Sequence, residues 1–208
     1  MRGILYRLIK RILDIILSVV AIIILLPLFS SIAIAIILDS PGPIIFTQKR
    51  SGFKNIPFKI YKFRTMTIDA PKYKATSQLV NPDAYITRVG RFLRKTSLDE
   101  LPQIINILKG EMSIIGPRPL ILEESDILTL RTKKKVDLLY PGITGWAQIN
   151  GRDAVGLIKK VEYDTYYLDN ISFKLDLKIF LMTVYKVFKR EGILEGHHPE
   201  EVKSQEAI

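Results

Sequence analysis

The feature that most constrains this chain is an almost unbroken apolar run near its N-terminus. From Ile12 to Leu38 the only charged residue is Asp14. A run of this length can cross the hydrocarbon core of a bilayer as a helix. It is longer than the h-region of a usual signal peptide, and no clear small-residue cleavage site follows it. Its unbroken apolar surface also argues against a helix buried in a soluble domain, so the run predicts a membrane segment.

Basic residues on both sides of this run predict its topology. They are Arg2, Arg7, Lys10 and Arg11 before it, and Lys49, Arg50, Lys54, Lys59, Lys62 and Arg64 after it. Because cytoplasmic flanks are rich in lysine and arginine, a straight span would place one basic flank outside. A segment that enters and leaves through one face avoids this, and Pro27 near its middle removes a backbone hydrogen bond. We predict a re-entrant helix–break–helix over residues 1–39, with a straight span as the alternative.

Composition limits the chemistry of the rest of the chain. The formal net charge is +10, which favours anionic partners such as phosphates, acidic lipid headgroups or nucleic acid. There is no cysteine, so disulfides and thiolate chemistry are excluded. The two histidines, His197 and His198, are adjacent near the C-terminus, which argues against a catalytic histidine or a histidine-rich zinc site. Nucleophilic or acid–base chemistry must come from Asp, Glu, Ser, Lys or Tyr.

Local patterns after the apolar run predict an α+β catalytic domain over residues 40–192, followed by a flexible tail over 193–208. Residues 44–48 and 58–63 resemble short strands joined by turn residues, which predicts a β-hairpin. Two-residue alternation places Lys62 and Arg64 on one face of that hairpin, facing either phosphates or solvent and lipid headgroups.

Helical patterns follow the predicted hairpin. Arg88, Arg91 and Lys95 recur at helical spacing, and an apolar stripe from Leu101 to Leu108 ends at Gly110. Further helices are expected over about 157–168 and 175–190. The last is apolar with a basic end, which suits either a membrane interface or ordinary core burial. The overall expectation is a set of amphipathic and interfacial helices around a compact cytosolic domain.

The segment Ser97-Leu98-Asp99-Glu100-Leu101-Pro102 is the first candidate site. It places two adjacent carboxylates at a predicted helix N-terminus, just after Arg94 and Lys95. One interpretation is structural: Ser97 and Glu100 form a capping box, and Asp99 complements the helix dipole. The other is chemical, because an acidic pair beside cations can hold Mg²⁺ and attack phosphorus. Positive surroundings favour the ionised form of Asp99.

Two further segments combine rigid backbone with hydrogen-bond donors. In Gly116-Pro117-Arg118-Pro119 the prolines fix the backbone around one arginine, which suits either phosphate binding or a structural salt bridge. Residues 141–152 contain three glycines that permit close approach to a ligand, with Asn150 and Arg152 as donors. The alternative for this segment is a hairpin with an Asn-Gly turn.

Together these segments resemble the monotopic phosphoglycosyl transferase family, the bacterial sugar transferases that initiate glycan assembly on undecaprenyl phosphate. The chain is most similar to the small members that start bacterial protein N-glycosylation. The matching segments, in family order, are residues 10–14, 45–48, 58–66, 97–103, 108–113, 115–120 and 141–152. One departure lies at the membrane break, where close relatives have Ser-Pro and this chain has Leu26-Pro27. A serine hydroxyl could bond to carbonyls freed by the proline, and leucine cannot.

The resemblance implies a re-entrant helix and a catalytic domain on the cytosolic face of the bacterial inner membrane. It also implies Mg²⁺ dependence and a nucleophilic aspartate followed by a glutamate, which map onto Asp99 and Glu100 as catalytic and metal-binding residues. Arg94, Arg118 and Arg152 match basic positions of the family's active-site region. The candidate substrate-binding residues are these three with Lys62 and Asn150.

The implied substrates are a UDP-sugar, with an N-acetylated sugar favoured, and undecaprenyl phosphate. Membrane lipid is an expected partner, nucleic acid is not, and downstream glycosyltransferases could receive the product. The expected reaction releases UMP through a covalent phosphosugar–aspartate intermediate. A non-catalytic basic membrane anchor is the main alternative, although it leaves the Asp-Glu pair unexplained. A nucleotide-sugar hydrolase, which would release sugar phosphate without lipid, is the third.

Overall fold

The computed structural model describes residues 2–71, 82–151 and 155–189. Its first element is helix α1, Arg2–Asp39, which continues through Pro27. The expected pair of helices separated by a break is therefore one continuous helix. Proline removes only one backbone donor from a helix that many other hydrogen bonds and apolar contacts support. A re-entrant path through a bilayer stays a prediction.

Two serines follow the proline of α1. The hydroxyls of Ser30 and Ser31 donate to the carbonyls of Leu26 and Pro27, over 3.1 and 2.9 Å. Back-bonding of this kind to the carbonyl four residues earlier tends to bend helices. Side-chain hydrogen bonds thus occur next to Pro27 although residue 26 is leucine.

The N-terminal half of α1 packs against the domain through polar contacts. Arg11 donates to the carbonyl of Ile107 over 2.7 Å, and Asp14 accepts a hydrogen bond from the backbone N–H of Ile114 over 3.2 Å. Asp14, the only charge of the apolar run, is 5% exposed. Its burial against backbone explains how a carboxylate is accommodated in this segment.

The C-terminal end of α1 packs against a different part of the domain. Ile36 is buried together with Phe63 and Leu93. The carboxylate of Asp39 accepts a hydrogen bond from the backbone N–H of Val89 over 2.9 Å. Between the two attached ends, most side chains from residue 15 to residue 26 are exposed and apolar. The domain therefore holds α1 at both ends and leaves its middle uncovered.

Strands β1, Ile45–Ser51, and β2, Pro57–Phe63, form the predicted antiparallel hairpin. A 3-10 turn over Phe53–Asn55 connects them. Arg64, just after β2, does not face a phosphate site: its guanidinium donates to the carbonyls of Ser40 and Pro41, over 2.6 and 2.7 Å. It binds carbonyls beyond the end of α1, where backbone acceptors lack helical partners.

Helix α2, Arg88–Thr96, confirms the helical spacing of the basic residues. The Thr87 hydroxyl accepts from the Gly90 N–H over 3.0 Å and caps the helix. Gly90 lies so close to the backbone of Thr65 that a Cβ atom would overlap the Thr65 carbonyl. This close approach fixes α2 against the chain that leaves β2.

The predicted apolar helix is divided in two. Residues Leu98–Gln103 form a 3-10 segment and only Ile104–Leu108 form an α-helix, α3. Pro102 cannot donate the backbone hydrogen bond that an α-helix would need at this position. The helix ends as predicted near Gly110, which has a φ of +81°.

A second sheet was not predicted from the sequence. Strand β3, Ser113–Ile115, pairs in parallel with β4, Gly142–Thr144, and helix α4, Ser125–Lys133, lies between them in the chain. The alternative of an Asn-Gly hairpin over residues 141–152 is wrong. Strand β4 leads instead into the short helix α5, Trp146–Ile149.

Helices α6, Leu157–Asp169, and α7, Phe173–Lys189, confirm the two predicted C-terminal helices. Asp176 of α7 accepts hydrogen bonds from Tyr6, Lys10 and Tyr167, over 2.6, 2.9 and 2.7 Å. This carboxylate joins α1, α6 and α7. The fold is mixed helix and sheet, as predicted, while the tail over 193–208 lies outside the described residues.

Candidate active site

The Asp99–Glu100 pair lies in the first turn of the 3-10 segment Leu98–Gln103. Ser97, just before it, has a left-handed backbone with φ 57° and makes no side-chain cap hydrogen bond. The capping-box interpretation is therefore wrong, because Ser97 ends α2 and lacks the extended backbone of an N-cap residue. The sharp change of direction brings the two acids back towards strand β2.

Glu100 is the paired member of the two acids. Its carboxylate accepts from Lys62 over 2.6 Å and from Arg118 over 3.0 Å, and its side chain is 11% exposed. Burial alone would favour its neutral form, but Arg118 and then Lys62 lower the pKa of Glu100 well below its ordinary value. Glu100 is therefore an ionised carboxylate that holds two cations in place.

Asp99 has a weaker pairing. Its nearest ion-pair contact is Lys62, over 3.8 Å, and its side chain is 13% exposed. Burial raises the pKa of Asp99 and Glu100 adds to that rise, while Lys62, Arg94 and Arg118 lower it. The expected cations do surround this carboxyl, but burial outweighs them. Asp99 is the acid whose oxygens are less engaged.

Helix α2 brings Arg94 to this pair. Its Nε–H donates to the hydroxyl of Thr65 over 2.9 Å, which directs the guanidinium towards the end of β2. Arg94 is close enough to lower the pKa of Asp99. The structure thus places Arg94, Lys62 and Arg118 around the two acids.

The Gly-Pro-Arg-Pro loop is held by the parallel strands. The N–H of Gly116 donates to Thr144 over 2.8 Å, and the N–H of Gly142 donates to Pro117 over 2.9 Å. A Cβ atom on Gly116 would overlap the carbonyl of Tyr140. The glycine is therefore required for close backbone approach, and the loop presents Arg118 with 42% of its side chain exposed.

Sequence reasoning missed the pair that supports this loop. Arg131 of α4 donates to the backbone carbonyl of Arg118 over 2.8 Å and forms an ion pair with Asp164 of α6 over 2.6 Å. The two side chains are 10% and 2% exposed. They are far apart in sequence and lie in no recognisable motif, so no local signal links them to Arg118.

The structure does not bring the other two candidate substrate-binding residues, Asn150 and Arg152, into contact with the acidic pair within the part of the chain that it describes. The Asn150 amide donates to the carbonyl of Trp146 over 2.8 Å, which closes the end of α5. A substrate-binding role for Asn150 stays a prediction, and this hydrogen bond occupies one of its donors. Arg152 lies outside the described residues.

The apolar N-terminal helix meets the requirements for a membrane segment. Residues Ile4–Asp39 are long and apolar enough to cross a bilayer, and only 11% of their most apolar stretch is buried against the protein. A core helix of a soluble domain would be covered by other elements. The helix therefore indicates a membrane protein, with the acidic pair in the domain attached to it.

The sequence model of the family described as bacterial sugar transferase matches residues 5–190, almost all of the described chain. The chain belongs to the bacterial sugar transferase family. Both the apolar run and the Asp99–Glu100 pair of this sugar transferase lie within the matched residues.

Several relatives of this sugar transferase have been named. It is 46% identical over 157 residues to the uncharacterized sugar transferase EpsL of Bacillus subtilis, with 76% of each chain covered. It is 43% identical over 194 residues to the UDP-glucose:undecaprenyl-phosphate glucose-1-phosphate transferase of Escherichia coli, covering 88% of this chain and 40% of that protein. A UDP-N-acetylgalactosamine-undecaprenyl-phosphate N-acetylgalactosaminephosphotransferase of Aeromonas hydrophila is 40% identical over 195 residues, covering 90% and 45%. The chain spans less than half the length of the last two relatives.

Proposed function

We propose that this sugar transferase moves a sugar-1-phosphate from a UDP-sugar to undecaprenyl phosphate and releases UMP. The single observation that carries the proposal is the inequality of the two adjacent acids. Glu100 is bound by Lys62 and Arg118, while Asp99 keeps oxygens free of close ion pairs. The names of the relatives support this reaction class.

Asp99 is the proposed nucleophile. Its ionised oxygen attacks the phosphorus nearer the sugar, and an oxygen–phosphorus bond forms while the bond from that phosphorus to the bridging oxygen breaks. UMP leaves with the bonding electron pair, and the phosphosugar stays on Asp99. A phosphate oxygen of the lipid then attacks the same phosphorus. The bond to Asp99 breaks, its carboxylate is restored, and the product is a lipid diphosphate sugar.

The cations around Asp99 address the main obstacle, which is repulsion between a carboxylate and a diphosphate. Arg118 is held by Glu100 and by the proline-rich loop, and Arg94 by Thr65. Fixed donors need no reorganisation when negative charge develops on the substrate. An arginine fork can also bind two phosphate oxygens at once.

The two acids fit Mg²⁺ as well. Magnesium is usually bound through one or two carboxylates together with substrate phosphates. Within the described residues the two acids belong to no cluster of three or more His, Cys, Asp or Glu side chains, so an ion bound here would need further oxygen ligands, which substrate phosphates can supply. Asp99 and Glu100 would hold it, Asp99 with the freer oxygens. When bound, it offsets the negative charge of the diphosphate.

The proposal includes a re-entrant α1, with the domain on the cytosolic face of the inner membrane. Both ends of α1 are attached to the same domain, through Asp14 and through Asp39. The chain has no cysteine, so one introduced at Arg2 or at the exposed Lys54 reports a single site. Neither cysteine should react with an impermeant label in intact cells, and both should react in opened cells. Labelling of either from outside would contradict the re-entrant topology.

The covalent intermediate gives the sharpest test of the reaction. Purified enzyme with UDP-sugar and Mg²⁺, but without lipid, should release at most about one UMP per active site. Mass spectrometry should place a phosphosugar on Asp99. Asp99→Asn should stay folded, bind UDP-sugar and transfer nothing, whereas the exposed Asp169→Asn should behave like the native enzyme.

Other outcomes would select the competing functions. UMP release only with lipid, and no adduct, would indicate direct in-line transfer, with Asp99 as a metal ligand or base. Steady sugar-phosphate release without lipid would indicate a hydrolase. No reaction with any UDP-sugar would leave a basic membrane anchor.

The donor sugar is proposed to be N-acetylated, and the product to start a protein N-glycosylation pathway or another glycan pathway that downstream glycosyltransferases continue. The named relatives include both a glucose and an N-acetylgalactosamine enzyme. A panel of UDP-sugars with undecaprenyl phosphate would decide this, with preference for UDP-glucose contradicting the N-acetylated assignment.

A further inference from the structure

The inner face of the β1–β2 hairpin carries two side chains that the proposed reaction has not used. The antiparallel register pairs Phe46 with Lys62 and Arg50 with Phe58. Residues directly opposite each other share a face, and alternate residues of one strand share it too. Arg50 and Gln48 therefore lie on the face that presents Lys62 to the acidic pair.

The hydrogen bonds of Arg50 go to neutral acceptors. Its Nη2 donates to the Gln48 side-chain oxygen over 2.7 Å, its Nη1 lies 3.4 Å from the Pro119 carbonyl, and its Nε is buried without a hydrogen-bond partner. Among the described residues no carboxylate forms an ion pair with it. A guanidinium has five N–H donors, so Arg50 keeps donors for a ligand.

Backbone contacts fix Arg50 relative to Arg118. The N–H of Ser51 donates to the carbonyl of Leu120 over 2.9 Å, and Arg50 forms a backbone bridge with Ile121. The end of β1 is thus joined to the loop that presents Arg118. Two arginines on joined backbone segments are a preformed arrangement, which binding of a ligand does not have to assemble.

This arrangement is electrostatically unfavourable when nothing is bound. Burial, and then the neighbouring Arg118, lower the pKa of Arg50 to about 10, although it remains cationic at neutral pH. Glu124, Glu100 and Glu123 act on Arg50 in the opposite direction, but burial and Arg118 outweigh them. An anionic ligand would stabilise a partly buried cation that lies beside a second cation.

We propose that Arg50, oriented by Gln48, binds a phosphate that is not the one transferred, beside Arg118. This phosphate is either the departing phosphate of the nucleotide or the attacking phosphate of the lipid, and the inference rests on the proposed function. The charges that act most on Asp99 come from Lys62, Glu100, Arg94 and Arg118, and Arg50 is not among them. Arg50 is therefore farther from the transferred phosphorus than the charged residues that act most on Asp99.

The test compares Arg50→Gln, which removes the charge, with Arg50→Lys, which keeps it but loses the planar fork. Lys49→Gln is the matched control, because Lys49 is the next residue of β1 and is exposed on the opposite face. The measurements are binding of UMP by calorimetry, binding of undecaprenyl phosphate in nanodiscs, and UMP release with and without lipid. Thermal unfolding checks that each variant is folded.

Arg50→Gln should lower the affinity for either UMP or undecaprenyl phosphate by about ten- to a hundredfold, and Arg50→Lys should lower the affinity for the same ligand less. Weaker UMP binding, together with slower UMP release in the absence of lipid, would show that Arg50 binds the nucleotide phosphate. Weaker binding of undecaprenyl phosphate, with normal lipid-free release, assigns the acceptor phosphate. If Arg50→Gln does not fold, Arg50→Lys alone decides between these results.

The inference is overturned if folded Arg50 variants bind both ligands as Lys49→Gln does. It fails separately from the proposed function. Native enzyme that releases no UMP from any UDP-sugar removes the proposed reaction, whereas the two binding measurements need no catalysis and still decide whether Arg50 holds a phosphate.

Discussion

Glu100 and Asp176 are two carboxylates whose side chains have the same exposure, 11%, but whose hydrogen-bond partners differ. Asp176 accepts from one cation, Lys10, and from the neutral hydroxyls of two tyrosines. Glu100 accepts from two cations, Lys62 and Arg118, and an unequal second acid lies beside it. Burial and pairing are common to both. A surplus of cations next to a poorly paired acid distinguishes the candidate active site from the structural junction.

Among substitutions that test this difference, Glu100→Gln should cause the largest loss of turnover. The amide would release Lys62 and Arg118 from their fixed positions, and turnover should fall by about a hundredfold or more. Steady-state UMP release with saturating lipid measures this. Because Glu100 acts on the site and not on the packing of helices, the variant should stay folded.

Asp176→Asn is the control at the structural junction. It should retain near-native kinetics per folded molecule while the free energy of unfolding falls by about 1.5–3 kcal/mol, since Lys10 loses its counterion. A matching loss of turnover in both variants would show that the two carboxylates are equivalent, and the comparison would fail.

Arg118→Ala should have the next largest effect. Loss of a charge-assisted contact to phosphate should reduce kcat/KM by about ten- to a hundredfold with little change in stability, because Arg118 is partly exposed. Lys109→Ala, which removes an exposed cation that pairs with Glu111, is the control. Native kinetics in Arg118→Ala would leave Arg118 as a structural partner of Glu100 only.

The buried Arg131–Asp164 pair allows a smaller and more selective test. Replacing both residues, Arg131→Met with Asp164→Leu, should leave stability near native, because apolar substitutes often match a buried ion pair. Turnover should still fall by about five- to tenfold, since the carbonyl of Arg118 loses its donor and the loop becomes less well positioned. A double variant with native turnover would limit the pair to folding.

The smallest expected effect is a pH dependence of stability. Burial raises the pKa of Asp99 in the folded state above its ordinary 3.8. At pH values between 3.8 and that raised pKa, the folded state therefore binds more protons than the unfolded state. Stability from this group is therefore lost as pH rises through that window. Asp99→Asn removes the loss, and its advantage in Tm over the native enzyme should be larger at pH 8 than at about pH 4 in magnesium-free buffer. An advantage that shrinks with pH would contradict the raised pKa.

The sequence predicts elements where one local pattern is sufficient. The hairpin and the C-terminal helices are each continuous in the chain, and the structure confirms them. The apolar run is helical, as predicted, but lacks the predicted break. The parallel pairing of β3 with β4 joins two three-residue strands across a long sequence separation, and no periodic pattern arises in so few residues. The 3-10 geometry around Asp99 depends on the left-handed Ser97, a position where glycine or asparagine would have been the expected signal.

The residues of the candidate site also fall into two groups: those that the sequence identified and those that only the tertiary structure relates to the site. Motifs and the family resemblance identified Asp99, Glu100, Arg94, Arg118 and Lys62, and the structure brings them together. Arg131 and Asp164 act through the backbone of Arg118, so only tertiary structure relates them to the site. Arg50 could have been found by extending to β1 the two-residue alternation that identified Lys62 on β2.

The attachment of α1 at both ends has a consequence for the membrane itself. Asp39, at one end of the helix, caps α2, and α2 carries Arg94. If the lipid acyl chains are too long or too short for the apolar stretch, the resulting hydrophobic mismatch costs a fraction of a kcal/mol for each ångström. A helix tied at two points cannot relieve that mismatch by tilting freely. We therefore expect the thickness of the host bilayer to affect the position of Arg94 at the candidate active site, so that turnover depends on lipid chain length.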